Sequence, residues 1–341
     1  MRRPIRIGIV GAGGIVRAEH VPRFRAIEGV ELAAVANRSP ESSRRAAAEL
    51  GIERAFDDWR SLVADPEIDA VLVGAWPYLH APVTIAALEA GKHVLTEARM
   101  AATADDARSM LRSSLVHPEL VAMVVPASFS LWADKTIERT LRGGSIGRVR
   151  HVRVAWDASG PGNPADFWRW QRRYSGQNVM ALGIVAEAMG RWLGDARAVS
   201  ATASLGEPFR AGPAELVRAD IPDHVLAVIE YPEDVTAVLE MSGRTNAVES
   251  NRATFYGTGG TLRVDFGAER IERAGLGAGW EPVEVRDEDR AGWTAEIDFV
   301  AAIRGEKEVT LTDFATGLAY MAFAEAVDRS ASSGKRVPVQ P

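Results

Sequence analysis

The stretch "IRIGIVGAGGIVRAEHVPRF", residues 5 to 24, runs from a β-branched segment through a glycine turn into a helical pattern. Few features restrict a fold more tightly. Gly11 suits the sharp reversal, and Gly13 lets the backbone approach a pyrophosphate held at the helix N-terminus. The third position of the G-x-G-x-x-G spacing is Val16, which predicts looser packing of helix against strand. A glycine trio alone says little. With a strand before it and a helix after it, this one reads as a dinucleotide-binding turn.

The alternation continues. "SPESSRRAAAELG" is a capped helix ending in glycine, and "AVLVGA" is the unbroken apolar run of a buried parallel strand. Then come helix "APVTIAALEAGK", strand "HVLTEA", helix "TADDARSMLRSSLV" and strand "LVAMVVPAS". Successive right-handed βαβ units make a doubly wound sheet, with ligands beyond the carboxyl ends of its strands. Those ends carry "GAGG", "NRS", "AWPYLH" and "TEAR". Asn37 stands where an NAD enzyme usually has an acid for the ribose 2′-hydroxyl. An amide there removes the repulsion toward a 2′-phosphate, which Arg38 and Ser39 are able to grip. NADP(H) is therefore expected over NAD(H).

From about residue 148 the pattern becomes alternating strands, among them "RVRHVRVAW", "DHVLAVIEYP", "VTAVLEMSG", "RATFYGTGGTLRVDF" and "PVEVRD". They predict a large open, mostly antiparallel sheet, interrupted early by a helix over "SGQNVMALGIVAEAMGRWLG". The chain of 341 residues is long enough for two domains. We expect an α/β architecture with a Rossmann NAD(P)-binding domain over 1–125. A substrate-binding and oligomerisation domain of α+β type follows over 126–341, its C-terminal helices and tail packing back on the body. The open sheet is the expected surface of a homodimer or homotetramer.

Composition removes other classes. A net charge of −6 offers no basic field to nucleic acid or anionic lipid. No apolar run nears the ~20 residues that span a bilayer. The absence of cysteine removes disulfides, thiolate metal sites and thiol nucleophiles, and fits a cytoplasmic setting. No paired-histidine spacing points to a metal.

Taken together, "GAGGIVRAEH", "AWPYLHAPVTIAALEAGKHVLTEA", "GSIGRVRHVRV", "DFWRW", "LGIVAEAMGRWLG", "YGTGGTLRV" and "DRSASSGKRVPV" resemble the glucose–fructose oxidoreductase, inositol dehydrogenase and MocA family, in order and along nearly the whole chain. The resemblance implies a bound nicotinamide nucleotide, a homodimer or tetramer, and substrates among sugars, polyols and related hydroxy compounds. It also exposes a departure. The family's Glu-Lys-Pro falls on Glu97, Ala98 and Arg99. Its aspartate and histidine, four residues apart, fall on Ala181 and Val185, and a further acid falls on Ala188.

Oxidising a secondary alcohol requires removal of a hydroxyl proton, and reducing a ketone requires delivery of one. Ala98 does neither, and a guanidinium at Arg99 stays protonated. None of the four lysines, Lys92, Lys135, Lys307 and Lys335, stands in an obvious replacement position. At roughly 100° per residue, Ala181, Val185 and Ala188 share one helix face, while Glu187 points away and is expected to face solvent. His80 and Tyr78 remain as candidate proton carriers, His80 alternatively bonding backbone at a helix start and Tyr78 alternatively lining the pocket. Expected cofactor contacts are Gly11, Gly13, Gly14, Ile15, Asn37, Arg38, Ser39, Ala75, Trp76, His80 and Glu97. Expected substrate contacts are Trp76, Trp168, Arg169, Gln177, Asn178 and Val185. The reading is an NAD(P)-dependent oxidoreductase acting on a sugar-like or other small carbonyl, hydroxy or imine compound without the family lysine. Two rivals stay open: a nucleotide-binding pseudoenzyme or regulator, and a redox-neutral enzyme with a tightly held NAD(P).

Overall fold

The computed structural model describes residues 3–158, 164–244 and 251–341. Two units divide the chain: 1–126 with 173–176 and 294–321, and 127–172 with 177–293 and 322–341.

The first unit holds strands β1 (Ile5–Val10), β2 (Val30–Ala36), β3 (Arg54–Phe56), β4 (Ala70–Val73), β5 (His93–Thr96) and β6 (Ala122–Val124). They lie in the order β3-β2-β1-β4-β5-β6, every pair parallel. Helices α1 (Val21–Arg25), α2 (Pro40–Leu50), α3 (Trp59–Val63), α4 (His80–Glu89) and α5 (Ala104–Val116) alternate with them. All four residues of β4 are buried, as a central strand covered on both faces requires. Local chemistry sets the helix ends. Ser39 and Ser42 form a reciprocal cap at the start of α2, Gly51 closes it with φ +58°, and Thr103 caps α5. Strand order reverses between β1 and β4, which leaves a crevice at their carboxyl ends.

The second unit begins with α6 (Asp134–Arg142) and β7 (Val149–Asp157). After the single turn α7 (Arg172–Ser175), of which only Arg172 belongs to this unit, and α8 (Leu182–Leu193) come β8 (Ala198–Ser204), β9 (Phe209–Ala211), β10 (Leu216–Arg218), β11 (His224–Glu230) and β12 (Thr236–Ser242). β13 (Arg252–Gly257), β14 (Gly260–Asp265), β15 (Arg270–Gly275), β16 (Glu281–Pro282) and β17 (Val337–Pro338) complete it. Nine strands form one sheet, β16-β15-β14-β13-β7-β12-β11-β8-β17, in which only β7 and β12 pair in parallel. The two-residue period puts Val152, Val154, Val225, Ala227, Ile229, Leu239 and Met241 into the core with α8. The opposite face of β11 and β12 exposes Leu226, Val228 and Val238.

The first segment of the first unit ends at Pro126. α9 (Ala295–Ile303) and the start of α10 (Phe314–Ser333), up to Met321, belong to the first unit. The helix expected from residue 175 starts only at Leu182, because Gly176 (φ +66°) and Met180 (φ +46°) turn the chain into left-handed backbone first.

Candidate active site

Gly11 has φ +89°, and a Cβ on it would stand 2.5 Å from the backbone nitrogen of Ala75, so only glycine fits. Gly13, Gly14 and Ile15 are exposed, and a Cβ on Gly14 would meet nothing within 4 Å. Bare backbone therefore lines the helix start. The Ala12 N–H donates to Asn37 Oδ1 at 2.7 Å, and Asn37 Nδ2 donates to the Ser42 carbonyl at 3.2 Å. Asn37 thus shapes the glycine turn. Ser39 is engaged in its cap, whereas Arg38 is exposed and in no ion pair among the described residues.

Helix and strand also pack more closely here than Val16 led us to expect. Val16 is buried, and the space for it comes from Gly74, on which a Cβ would lie 2.2 Å from Val16 Cγ2. Beyond Val16 the first turn is wide. The Val21 N–H bonds the Val16 carbonyl five residues back, and His20 falls inside the fold.

At the end of β4, Trp76 meets Tyr174 edge-on at 4.8 Å, and Tyr78 lies 5.8 Å from the same ring. Tyr174 arrives on the 173–176 segment, where Gly176 touches the Ala102 carbonyl so closely that a Cβ would be 2.0 Å away. His80 is buried. Its Nε2 faces the Ala75 carbonyl at 2.8 Å, and its Nδ1 faces those of Arg99 and Met100 at 3.0 and 3.2 Å. Burial pushes its pKa down against the pull of these carbonyls. A ring engaged at both nitrogens has none left for a substrate. His80 clamps the loop after β4 to the turn after β5, and the expectation of a proton carrier there is corrected.

That second turn holds Glu97, Ala98 and the buried Arg99. Met100 N–H donates to the Tyr320 hydroxyl at 2.5 Å, which fixes the turn to α10. Glu97 Oε1 lies 2.6 Å from His20 Nε2, and its Oε2 accepts the Ala98 N–H at 3.1 Å. On the other side of the ring, His20 Nδ1 lies 2.5 Å from Glu296 Oε1. Burial alone lowers the His20 pKa, but Glu296 and Glu97 together outweigh it and raise it to about 9.

The remaining candidates lie in the second unit. Arg169 stacks over Trp168 at 4.4 Å and lies 3.8 Å from Asp166. Gln177 is half-buried, and Asn178 is buried just before α8. Ala181 caps α8 without a side-chain bond. Val185 is 1% exposed and belongs to the apolar core, so it packs against core side chains and is no substrate contact. Glu187 does not face solvent as expected. It is buried, pairs with Arg191 at 2.8 Å and accepts the Ala127 N–H at 3.1 Å.

Residues 5–122 match the family model described as an oxidoreductase family with an NAD-binding Rossmann fold, and residues 135–263 match the GFO/IDH/MocA C-terminal domain. The chain belongs to the GFO/IDH/MocA oxidoreductase family. Among relatives of this family member, a dTDP-3,4-didehydro-2,6-dideoxy-alpha-D-glucose 3-reductase of Streptomyces antibioticus is 31% identical over 76% of this chain and 75% of its own. Levoglucosan dehydrogenase of Pseudarthrobacter phenanthrenivorans is 28% identical over 71% and 69%. In fold, the GFO/IDH/MocA chain matches a levoglucosan dehydrogenase solved with NADH and L-sorbose (TM-score 0.84, 23% identity, 99% of this chain and 100% of that one). Sequence reasoning missed His20 and Glu296 in this family member. No local motif ties positions 20, 97 and 296 together.

Proposed function

We propose that the protein is an NAD(P)-dependent oxidoreductase of a sugar-like or other small carbonyl or hydroxy compound, working without the family lysine. One observation carries the reading. The bare glycine turn, the unpaired Arg38 and the Trp76–Tyr78–Tyr174 group meet on the carboxyl edge of one sheet, beside Ala98.

A dinucleotide fits this edge, because no side chain at Gly13 or Gly14 intrudes at the helix start. When bound, it supplies hydride chemistry. Gly13, Gly14 and Ile15 hold the pyrophosphate, while Ala75 and Trp76 flank the crevice. Neutral Asn37 adds no repulsion, and Arg38 favours NADP(H) over NAD(H). Trp76 and Tyr78 offer aromatic faces to the C–H faces of a sugar ring, and Tyr78 presents a hydroxyl. Related proteins named for levoglucosan, 1,5-anhydro-D-fructose and inositol support the substrate class. Trp168, Arg169, Gln177 and Asn178 are further substrate contacts in this reading. The open sheet joins copies into a homodimer or homotetramer, and an acidic chain free of cysteine suits the cytoplasm.

The test is calorimetric titration with NADPH and NADH, followed by turnover of levoglucosan, 1,5-anhydro-D-fructose, myo-inositol and a cyclic imine. Tight nucleotide uptake with no turnover of any compound would leave a nucleotide-binding protein that is not an oxidoreductase of this class.

A further inference from the structure

We propose that Glu97, His20 and Glu296 form a buried proton relay that replaces the absent lysine. Glu97 exchanges the proton with the substrate oxygen, and His20 and Glu296 are the positioning residues behind it. The inference rests on the oxidoreductase reading above.

Geometry gives the relay a direction. His20 and Glu296 are fully buried, whereas the Glu97 side chain keeps 12% exposure at the carboxyl end of β5. Glu97 is thus the member of the three that reaches solvent, and its neighbour Ala98 stands where the family has its lysine. The wide turn over residues 16–20 brings His20 inward, and helix α9 brings Glu296 across from a position 276 residues further along the chain.

Charge supports the same reading. Buried ions are tolerated when paired, and one carboxylate is enough to pair one imidazolium. This cluster sets two against one ring, and both hold the His20 proton in place. The charged groups acting on His20 are Glu97, from the end of β5, and Glu296, from α9. Glu97 also acts on His80 from α4, but both nitrogens of that ring face carbonyls. The Phe24 ring on α1 stacks near the His20 ring, 6.4 Å between centroids. His20 keeps its proton to about pH 9, so the store is filled at neutral pH.

The step balances with NAD(P)H as reductant. The carbonyl carbon gains a hydride and the C=O π pair moves to oxygen. The Glu97 carboxylate takes the proton of the His20 imidazolium and passes it to that oxygen, and the neutral imidazole is recharged from solvent. Alcohol oxidation runs the same transfers in reverse, with Glu97 as base.

Three measurements on the full chain test this: the kcat profile against pH with the fastest probe of the panel, NADPH binding, and the 15N resonances of His20. Wild type should lose reductive activity as pH rises through a limb near 9. Glu97→Gln should lower kcat by about 100-fold or more, the scale of general acid–base catalysis, with far smaller change in NADPH affinity. Glu296→Gln should move the limb down by roughly one pH unit, since one of two supporting carboxylates is lost. His20 should remain protonated at pH 8. Unchanged kcat in Glu97→Gln, an unmoved limb in Glu296→Gln, or a His20 titrating at its ordinary value would each overturn the relay alone. If Glu97→Gln no longer binds NADPH, the Glu296→Gln limb decides. No turnover of any probe by wild type with NADPH bound would overturn the oxidoreductase reading, and the relay with it.

Discussion

Gly74, just past β4, lies so close to Val16 that a Cβ on it would stand 2.2 Å from Val16 Cγ2 and 2.7 Å from the Gly11 carbonyl. The close approach that a third motif glycine would give from the helix side comes here from the strand side. Gly74→Ala should therefore push the glycine turn outward, costing ~1–3 kcal/mol of stability and weakening nucleotide binding. Val16→Ala should recover part of the loss in the double variant, because it removes the side-chain clash but not the carbonyl one. Urea unfolding of the four-member cycle checks this, and strictly additive effects would exclude the contact as the cause.

Asn37 and Arg38 act differently, and their variants should separate them. Asn37→Asp keeps an acceptor for the Ala12 N–H, so the turn should survive. It also adds a charge facing any 2′-phosphate. NADPH affinity should fall by about tenfold or more while NADH affinity holds or improves. Arg38→Ala should weaken NADPH by roughly 10–100-fold, the value of a charge-assisted contact, with NADH little changed. Calorimetry with both nucleotides reads the difference. Equal losses for the two would remove Arg38 from the 2′-phosphate.

How much of this was legible depended on distance along the chain. The doubly wound sheet could be read from local pattern, because each βαβ unit carries its own apolar period, cap and terminal glycine, as α2 does with Ser39 and Gly51. The strand "RIERAG" of β15 was missed, since a short charged strand late in a sheet has no apolar alternation to read. The site was legible where a residue acts through its neighbours in sequence, as at Gly11. It was opaque where partners are remote. His80 stayed open between proton carrier and backbone-bonded ring because two of the three carbonyls that engage it follow β5, about twenty positions on. Glu187 looked solvated because the helix wheel shows its i+4 partner Arg191 but not the remote Ala127 N–H that closes over it.

The folded-state pKa of His20, about 9, lies above its ordinary value of 6.5. A raised histidine contributes stability that is fully present below the unfolded value and is lost as pH rises through the folded one. Between about pH 6.5 and 9 the protein should lose up to ~3 kcal/mol from this group. The midpoint of urea unfolding should fall across that window, and in His20→Gln the fall should flatten. A wild-type midpoint constant across the window would mean that His20 is not held charged between Glu97 and Glu296.

Val228 and Val238 face each other directly across β11 and β12 and are 43% and 36% exposed, with Leu226 41% exposed beside them. These three aliphatic side chains form a small apolar patch, bordered in register by Glu240, Arg153 and Ser200, which a second copy of the chain would cover isologously. A stable interface of this sort covers about 800 Å² on each partner. Val228→Arg should then place a guanidinium at the centre of the contact and shift the assembly to monomer, with little change in the stability of the chain itself because the side chain already points outward. Sedimentation velocity at micromolar concentration reads the outcome. A wild-type protein that sediments as a monomer, or a Val228→Arg variant that keeps the wild-type assembly, would free this face of the sheet from any role in oligomerisation.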